Sequence, residues 1–230
     1  MIRCNNNNVG VIIPAFNEER RIESTICALK NVPEIKDILV IDDGSTDQTS
    51  KIAELAGARV YRLDKNYGKG YALETGIQLQ DNPIIIFLDG DLGESAQEVT
   101  KLLNPILKDE ADVTVAKIPF VKNKGGFGFV KRLSISGIRK ITGKHFSSVL
   151  SGQRAFKKDV MKIEYLQYPR FGIEFGMTID LLCSGVRIQE VDVNMKHRIT
   201  GKNFAGFIHR AKQFKDISHV FIKKMLMEGR

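Results

Sequence analysis

Two carboxylates, Asp89 and Asp91, flank a glycine directly after the apolar run 83–88 (PIIIFL). Displayed where a chain turns out of a sheet, an i, i+2 pair of this kind can hold a hard divalent cation, Mn2+ or Mg2+, that bridges a diphosphate. D-x-D is a common pattern, and a helix N-cap beside a surface acid would use the same two residues. Here it does not stand alone. Lys69 offers a positive charge to the same diphosphate, and the adjacent Asp42 and Asp43 can accept hydrogen bonds from a nucleoside. No G-x-x-x-x-G-K-[ST] sequence occurs and no G-x-G-x-x-G follows the first apolar run, so a P-loop and a dinucleotide fingerprint are both excluded.

The hydrophobic pattern shows the elements that must carry these residues. Residues 9–13 are apolar, Pro14 breaks the run, and Ile22, Ile26 and Leu29 recur on one helical face. A second run, 37–41 (DILVI), ends in Asp42-Asp43-Gly44-Ser45-Thr46, where glycine permits a tight turn and Ser, Thr and Asp supply an N-cap for a helix over 47–56. A strand over 58–63, a loop through Asn66-Tyr67-Gly68-Lys69-Gly70 and a helix to about Gln80 follow, and then the strand 83–88. Strands alternating with amphipathic helices through short connections predict an α/β domain, a mostly parallel central sheet with helices on both faces. Ligands of such sheets bind beyond the carboxyl ends of the strands. Asn17/Glu18, Asp42/Asp43, Gly68/Lys69 and Asp89/Asp91 all fall at those ends, so four loops should converge on one site.

Further along, the pattern predicts a helix over 96–107, a strand over 112–116, a glycine-rich loop within 122–129, a basic helix over 130–142, the segment 149–156, a helical stretch over 171–183 and a strand over 186–193. A polar loop around His197 leads to a basic helix over 204–227. The chain divides into a polar N-terminal tail (1–8), a first half (9–116), a second half (117–203) with a mobile loop at 118–129, and a basic C-terminal helix (204–230).

With 230 residues and 43% apolar side chains, the chain fits one domain with a substantial core. Cys4, Cys27 and Cys183 are too few and too scattered for a disulfide framework or a zinc module. The N-terminus lacks the charge and apolar stretch of a signal peptide, and no apolar run reaches the length of a membrane span. The expectation is a cytoplasmic protein, peripheral at the inner face of a membrane at most. The net charge of +8 is unevenly spread. Residues 1–116 carry −7 and residues 117–230 carry +15, and 11 Lys/Arg without an acid lie between Lys117 and Lys158. Such a run attracts phosphates, whether on a ligand, a membrane or a nucleic acid.

Four ordered stretches, V-I-I-P-A-F-N-E-E, I-D-D-G-S-T-D-Q-T, N-Y-G-K-G-Y-A-L and F-L-D-G-D, resemble the family-2 glycosyltransferases of GT-A fold. L-S-G-Q-R-A-F is similar to the S-G-F-R element of polyprenyl-phosphate hexose synthases. F-G-I-E-F-G-M is similar to an acidic-helix element found there and in glucosyl-3-phosphoglycerate synthases. The resemblance implies a single GT-A (Rossmann-like) domain whose nucleoside pocket is lined by Pro14, Ala15, Asn17 and Glu18, with Asp42 and Asp43 near base and ribose. Lys69 would face the diphosphate or base, Asp89 and Gly90 the ribose or metal, and Asp91 the metal itself. His197 matches a histidine that completes the metal site in some relatives, and imidazole beside carboxylates suits Mn2+ better than Mg2+.

Glycosyl transfer needs stabilisation of the departing nucleoside diphosphate and an anionic acceptor. The family's paired acidic base is replaced here by Glu174 alone, which leaves it as a base or as a hydrogen-bond partner of the sugar. A phosphate-bearing acceptor needs no base, and Lys117, Lys122, Lys124, Lys131, Arg132 and Arg154 could hold one, with Gly152 and Gln153 near the transferred sugar. The resemblance thus implies a metal-dependent hexosyltransferase using a nucleoside-diphosphate sugar, with 9–116 as the nucleotide-sugar-binding half and 117–203 as the acceptor-binding half. UDP-glucose is the preferred donor and GDP-mannose the alternative, with a polyprenyl phosphate or a phosphoglycerate-like molecule as acceptor. The helix over 204–227 would lie on an anionic bilayer, on its own domain or on a second copy of the chain in a homodimer. A non-catalytic nucleic-acid or nucleotide binder is the reading of another class. The absence of Trp and of aromatic-basic repeats, and the acidic strand ends, count against nucleic acid as a partner.

Overall fold

The computed structural model describes residues 8–118, 127–196 and 204–228. His197, Lys122, Lys124 and most of the loop expected at 118–129 lie outside the described residues, as does nearly all of the N-terminal tail. Seven strands form one sheet: β1 (Val9–Ala15), β2 (Ile35–Asp42), β3 (Arg59–Arg62), β4 (Ile84–Phe87), β5 (Val113–Lys117), β6 (Arg154–Lys157) and β7 (Ile188–Asp192). Their order is β3-β2-β1-β4-β6-β5-β7. All run parallel except β6, which is antiparallel to both β4 and β5. The sheet therefore takes strands from both halves of the chain, and β6, from the second half, is a seam inserted between β4 and β5.

Strand residues alternate between two cores, as the period of two demands. Val9, Val11 and Ile13 of β1 join Ile38 and Val40 of β2 and Ile84 and Ile86 of β4 on one face. Ile12, Leu39, Ile41, Ile85 and Phe87 point to the other. The first face is covered by α1 (Ile22–Lys30), α2 (Thr49–Leu55) and α4 (Val99–Leu107). The second is covered by α3 (Lys69–Leu79), α5 (Phe127–Thr142), α6 (Ile173–Cys183) and α7 (Phe204–Glu228). Burying each of these Ile and Leu side chains contributes about 1.5–3 kcal/mol. Gly76 lets α3 lie directly on β1, because a Cβ there would come within 2.4 Å of Ile12 Cγ2.

Several boundaries move from the sequence reading. The helix expected from residue 171 begins at Ile173, because Arg170 adopts φ 34° and a short turn of 3-10 helix spans Arg170–Gly172. Residues 93–98 form a 3-10 turn, so α4 starts at Val99. At the head of α2 the N-cap position falls on Gln48, which makes no side-chain cap bond, and Asp47 Oδ1 accepts the Thr49 N–H instead at 3.0 Å. Among the described residues no helix is long and apolar enough to cross a membrane.

Candidate active site

The loops after β1, β2, β3 and β4 are laced to one another in sequence order. Asn17 (φ 57°) donates its backbone N–H to Ser45 Oγ at 2.9 Å, and its side-chain oxygen accepts the Thr46 N–H at 2.8 Å. Asparagine is one of the few residues that tolerate this left-handed conformation. Glu18 donates its backbone N–H to Thr49 Oγ1 at 2.8 Å. Ala15, beside Pro14 at the end of β1, accepts the Asp43 N–H on its carbonyl at 2.8 Å.

Asp42 and Asp43 are both buried, and both carboxylates serve the loops around them. Asp42 accepts the Ser45 N–H at 2.8 Å and the Ser50 hydroxyl. Asp43 accepts the N–H groups of Tyr67 and Gly68 at 2.7 and 2.8 Å, which clamps the turn that opens α3. Burial pushes the Asp43 carboxyl above its usual range, the two N–H bonds counter this, and Asp42 adds to the rise. Gly68 sits at φ 94°, a conformation open to glycine at no steric cost.

That turn delivers Lys69 into a cluster drawn from four segments. Lys69 Nζ lies 2.8 Å from Asp89 Oδ1, just past β4, and 2.9 Å from Glu174 Oε1, in the first turn of α6. The other Asp89 oxygen accepts a hydrogen bond from Gln153 Nε2 at 2.6 Å. Gly152 covers the pair: a Cβ there would lie 2.6 Å from Lys69 Nζ and 3.5 Å from both Asp89 carboxylate oxygens. Burial works against the Lys69 ammonium, but the Asp89 and Glu174 carboxylates outweigh it and hold its pKa above the usual lysine range.

Arg154 is fully buried behind this cluster. It donates to the carbonyls of Ser151 (3.0 Å), Val149 (3.3 Å) and Glu174 (3.0 Å) and to Thr178 Oγ1 (2.8 Å), while its Nη1 has no partner among the described residues. Burial lowers its pKa to about 10, with Glu174 acting in the opposite sense. These bonds tie the 149–151 loop to the head of α6, which fixes Gly152 and Glu174 relative to each other.

The Asp89-Gly90-Asp91 turn is anchored from beneath. Thr25, buried on α1, donates to the Gly90 carbonyl at 2.9 Å and accepts the Gly93 N–H at 2.8 Å, and Arg21 Nη1 donates to the Asp91 carbonyl at 3.1 Å. Sequence reasoning missed both residues. A threonine on a helix and an arginine at its N-cap carry no local signal of bonds to residues 65 or more positions away. Of the acceptor candidates, Lys117 pairs with Asp192 at 3.3 Å, Arg132 is exposed on α5 and Lys131 is half-buried there. The structure thus joins Lys69, Asp89, Glu174, Gly152, Gln153 and, one layer back, Arg154, while Asn17, Asp42 and Asp43 form an adjoining frame.

Residues 10–163 match the model of glycosyl transferase family 2. The chain belongs to this family. It is a glycosyltransferase, and its seven-stranded sheet has the expected GT-A fold. MJ1222 of Methanocaldococcus jannaschii, an uncharacterized protein, is 34% identical over 199 residues, covering 82% of each chain. A dolichyl-phosphate hexose transferase of Haloferax volcanii is 24% identical over 229 residues, 96% of each chain. Among solved structures, glucosyl-3-phosphoglycerate synthase from Mycobacterium tuberculosis superposes with a TM-score of 0.76 at 25% identity, covering 94% of this chain and 79% of that one. It was crystallised with Mn2+, UDP-glucose and phosphoglyceric acid.

Proposed function

We propose that this glycosyltransferase moves a hexose from UDP-glucose to a phosphate-bearing acceptor, a polyprenyl phosphate presented at a membrane surface. The observation that carries the proposal is the Lys69 ammonium held between Asp89 and Glu174, at the meeting point of the strand-end loops and α6. The adjoining frame of Asn17, Asp42 and Asp43, with Pro14, Ala15 and Glu18 beside it, would receive the nucleoside.

The donor chemistry suits a hard divalent cation, Mn2+ or Mg2+. Among the described residues no group of three or more His, Cys, Asp or Glu could hold a metal ion. A site completed by the substrate's own diphosphate needs only one or two protein carboxylates. Asp91 would hold the cation, with His197 as the further ligand, and when bound it would take up the negative charge growing on the departing diphosphate.

Lys69 fixes Asp89 and Glu174 at one point, which suits them to orient hydroxyl groups of donor and sugar. Glu174 has one oxygen occupied by Lys69, an arrangement fit for orienting rather than for proton abstraction. An acceptor phosphate is already anionic at neutral pH and requires no base. The named specificity of the Haloferax relative for dolichyl phosphate supports a lipid acceptor. So does α7, where Lys212, Lys215, His219, Ile222 and Leu226 recur on one exposed side while Ile217 and Val220 are buried on the opposite one. A basic stripe with exposed apolar side chains suits contact with an anionic bilayer. A soluble phosphorylated acceptor is the second reading, favoured by the likeness to a synthase crystallised with phosphoglyceric acid.

Thermal shift with UDP and GDP, with and without Mn2+, tests the donor. Stabilisation by UDP that requires the metal and disappears in Asp91→Ala supports the proposal. Hexose transfer from UDP-glucose is then assayed to polyprenyl phosphate in detergent and to 3-phosphoglycerate. Transfer to neither, or full activity of Asp91→Asn, refutes it.

A further inference from the structure

Asp89 is approached from the two halves of the chain at once. Lys69, from the nucleotide-binding half, occupies Oδ1, and Gln153, from the segment leading into β6, occupies Oδ2 at 2.6 Å. Gln153 is 1% exposed, its backbone carbonyl is fixed by the Ala116 N–H at 3.0 Å, and its side-chain oxygen accepts from Ser151 Oγ at 3.3 Å. A carboxylate only accepts hydrogen bonds, so the amide can face Asp89 only through its NH2 group. The same peptide segment places Gly152 over Lys69 and Asp89, too close to admit a side chain. The chemistry of position 153 is therefore specific: it needs a donor, buried, neutral and long enough to reach across the seam.

We infer that Gln153 is a positioning residue for the sugar donor, fixing the orientation in which the Asp89 carboxylate faces the hydroxyl groups of the nucleoside-diphosphate sugar. The inference rests on the donor reading proposed above and assigns Gln153 a role through Asp89 in place of direct contact with the transferred sugar. It also ties donor binding to β6, the antiparallel strand through which the second half of the chain joins the sheet.

The test is calorimetric titration of UDP with Mn2+ into the parent chain, Gln153→Met, Gln153→Glu, Asp89→Asn and the double variant Asp89→Asn/Gln153→Glu, with steady-state kinetics on UDP-glucose alongside. Gln153→Met keeps the volume and removes the donor, and UDP affinity should fall about 3–10-fold, the net worth of one ordinary hydrogen bond, because Gln153 acts on the donor only through Asp89. Gln153→Glu sets two carboxylates against each other, and the loss should exceed about 10-fold. The double variant restores one donor facing one carboxylate with the pair reversed. It should bind UDP more tightly than Gln153→Glu alone, a coupling that independent sites do not show. The kinetic signature is a raised KM for the donor with kcat less affected. Parent-like UDP affinity in Gln153→Met, or fold-losses that simply multiply in the double variant, would overturn the inference. Should Gln153→Glu fail to fold, Gln153→Met decides. If the parent chain binds no nucleoside diphosphate, the donor reading itself fails and this inference with it, an outcome distinct from a parent that binds and a Gln153→Met that binds equally well.

Discussion

Replacing Lys69 by methionine tests whether the cluster is held by its central cation. The Asp89 and Glu174 oxygens lie 2.8 and 2.9 Å from Nζ, so they are within about 6 Å of one another. Without the ammonium they face each other as like charges. At an effective dielectric near 20 their repulsion is about 3 kcal/mol, and partial exposure of Lys69 and Asp89 trims this to about 2 kcal/mol. In the parent chain the two carboxylates raise the Lys69 pKa against the pull of burial. That contribution to stability is fully present below the unfolded lysine value of about 10.4 and is lost as pH rises through the folded one. In Lys69→Met the pH dependence keeps this sign but moves from the alkaline to the acid range. Two facing carboxylates repel only while both are ionised, so the deficit is full at neutral pH and closes as acid neutralises one of them. Urea unfolding of both proteins at pH 8 and pH 5 measures this. The expected result is a deficit of about 2 kcal/mol at pH 8 that narrows at pH 5. Equal stability at pH 8, or a deficit that does not change with pH, refutes the electrostatic account.

Further outcomes follow from neighbouring contacts. Gly152→Ala puts a methyl group 2.6 Å from Lys69 Nζ, so the ammonium must shift; folding should lose less than about 1.5 kcal/mol while the donor KM rises several-fold, measured by unfolding and kinetics on the same preparation. Asp43→Asn keeps only one acceptor oxygen for the Tyr67 and Gly68 N–H groups, at a cost of about 1–3 kcal/mol, and hydrogen exchange should accelerate at those two amides. On the far side of the sheet, Arg187 foremost and then Lys157 hold the Asp112 carboxyl below its usual range against the effect of burial. The stability from that pair is present above the unfolded value of about 3.9 and is lost as pH falls below it, so acid unfolding of Arg187→Ala should show a shallower pH dependence there than the parent.

The strand-end loops are legible in the sequence because each is built locally. An apolar run ends, a glycine or asparagine turns the chain, and a helical period begins, and these steps alone place Asn17, Asp43, Lys69 and Asp89 at the same edge of the sheet. The bonds among them are not legible. Asp43 has the position of a nucleoside ligand, yet its carboxylate is occupied by the Tyr67 and Gly68 amides. Arg154 has the sequence context of a cation for an acceptor phosphate, yet its side chain is buried with its bonds turned to the 149–151 loop and α6. The start of α6 moves by two residues because a positive φ at Arg170 is a tertiary compromise that propensity does not encode.

Composition and periodicity determined the number of strands in the first half, the parallel sheet and the edge at which ligands gather, since these depend on residues within a turn or two of one another. Tertiary structure alone decided that Glu174, 105 residues after Lys69, closes on the same ammonium, and that Gln153 and Thr25 both hold the turn between Asp89 and Gly93. Contacts across such separations arise from the order in which strands enter the sheet, and β6, entering antiparallel between β4 and β5, leaves no local mark of that choice in the chain.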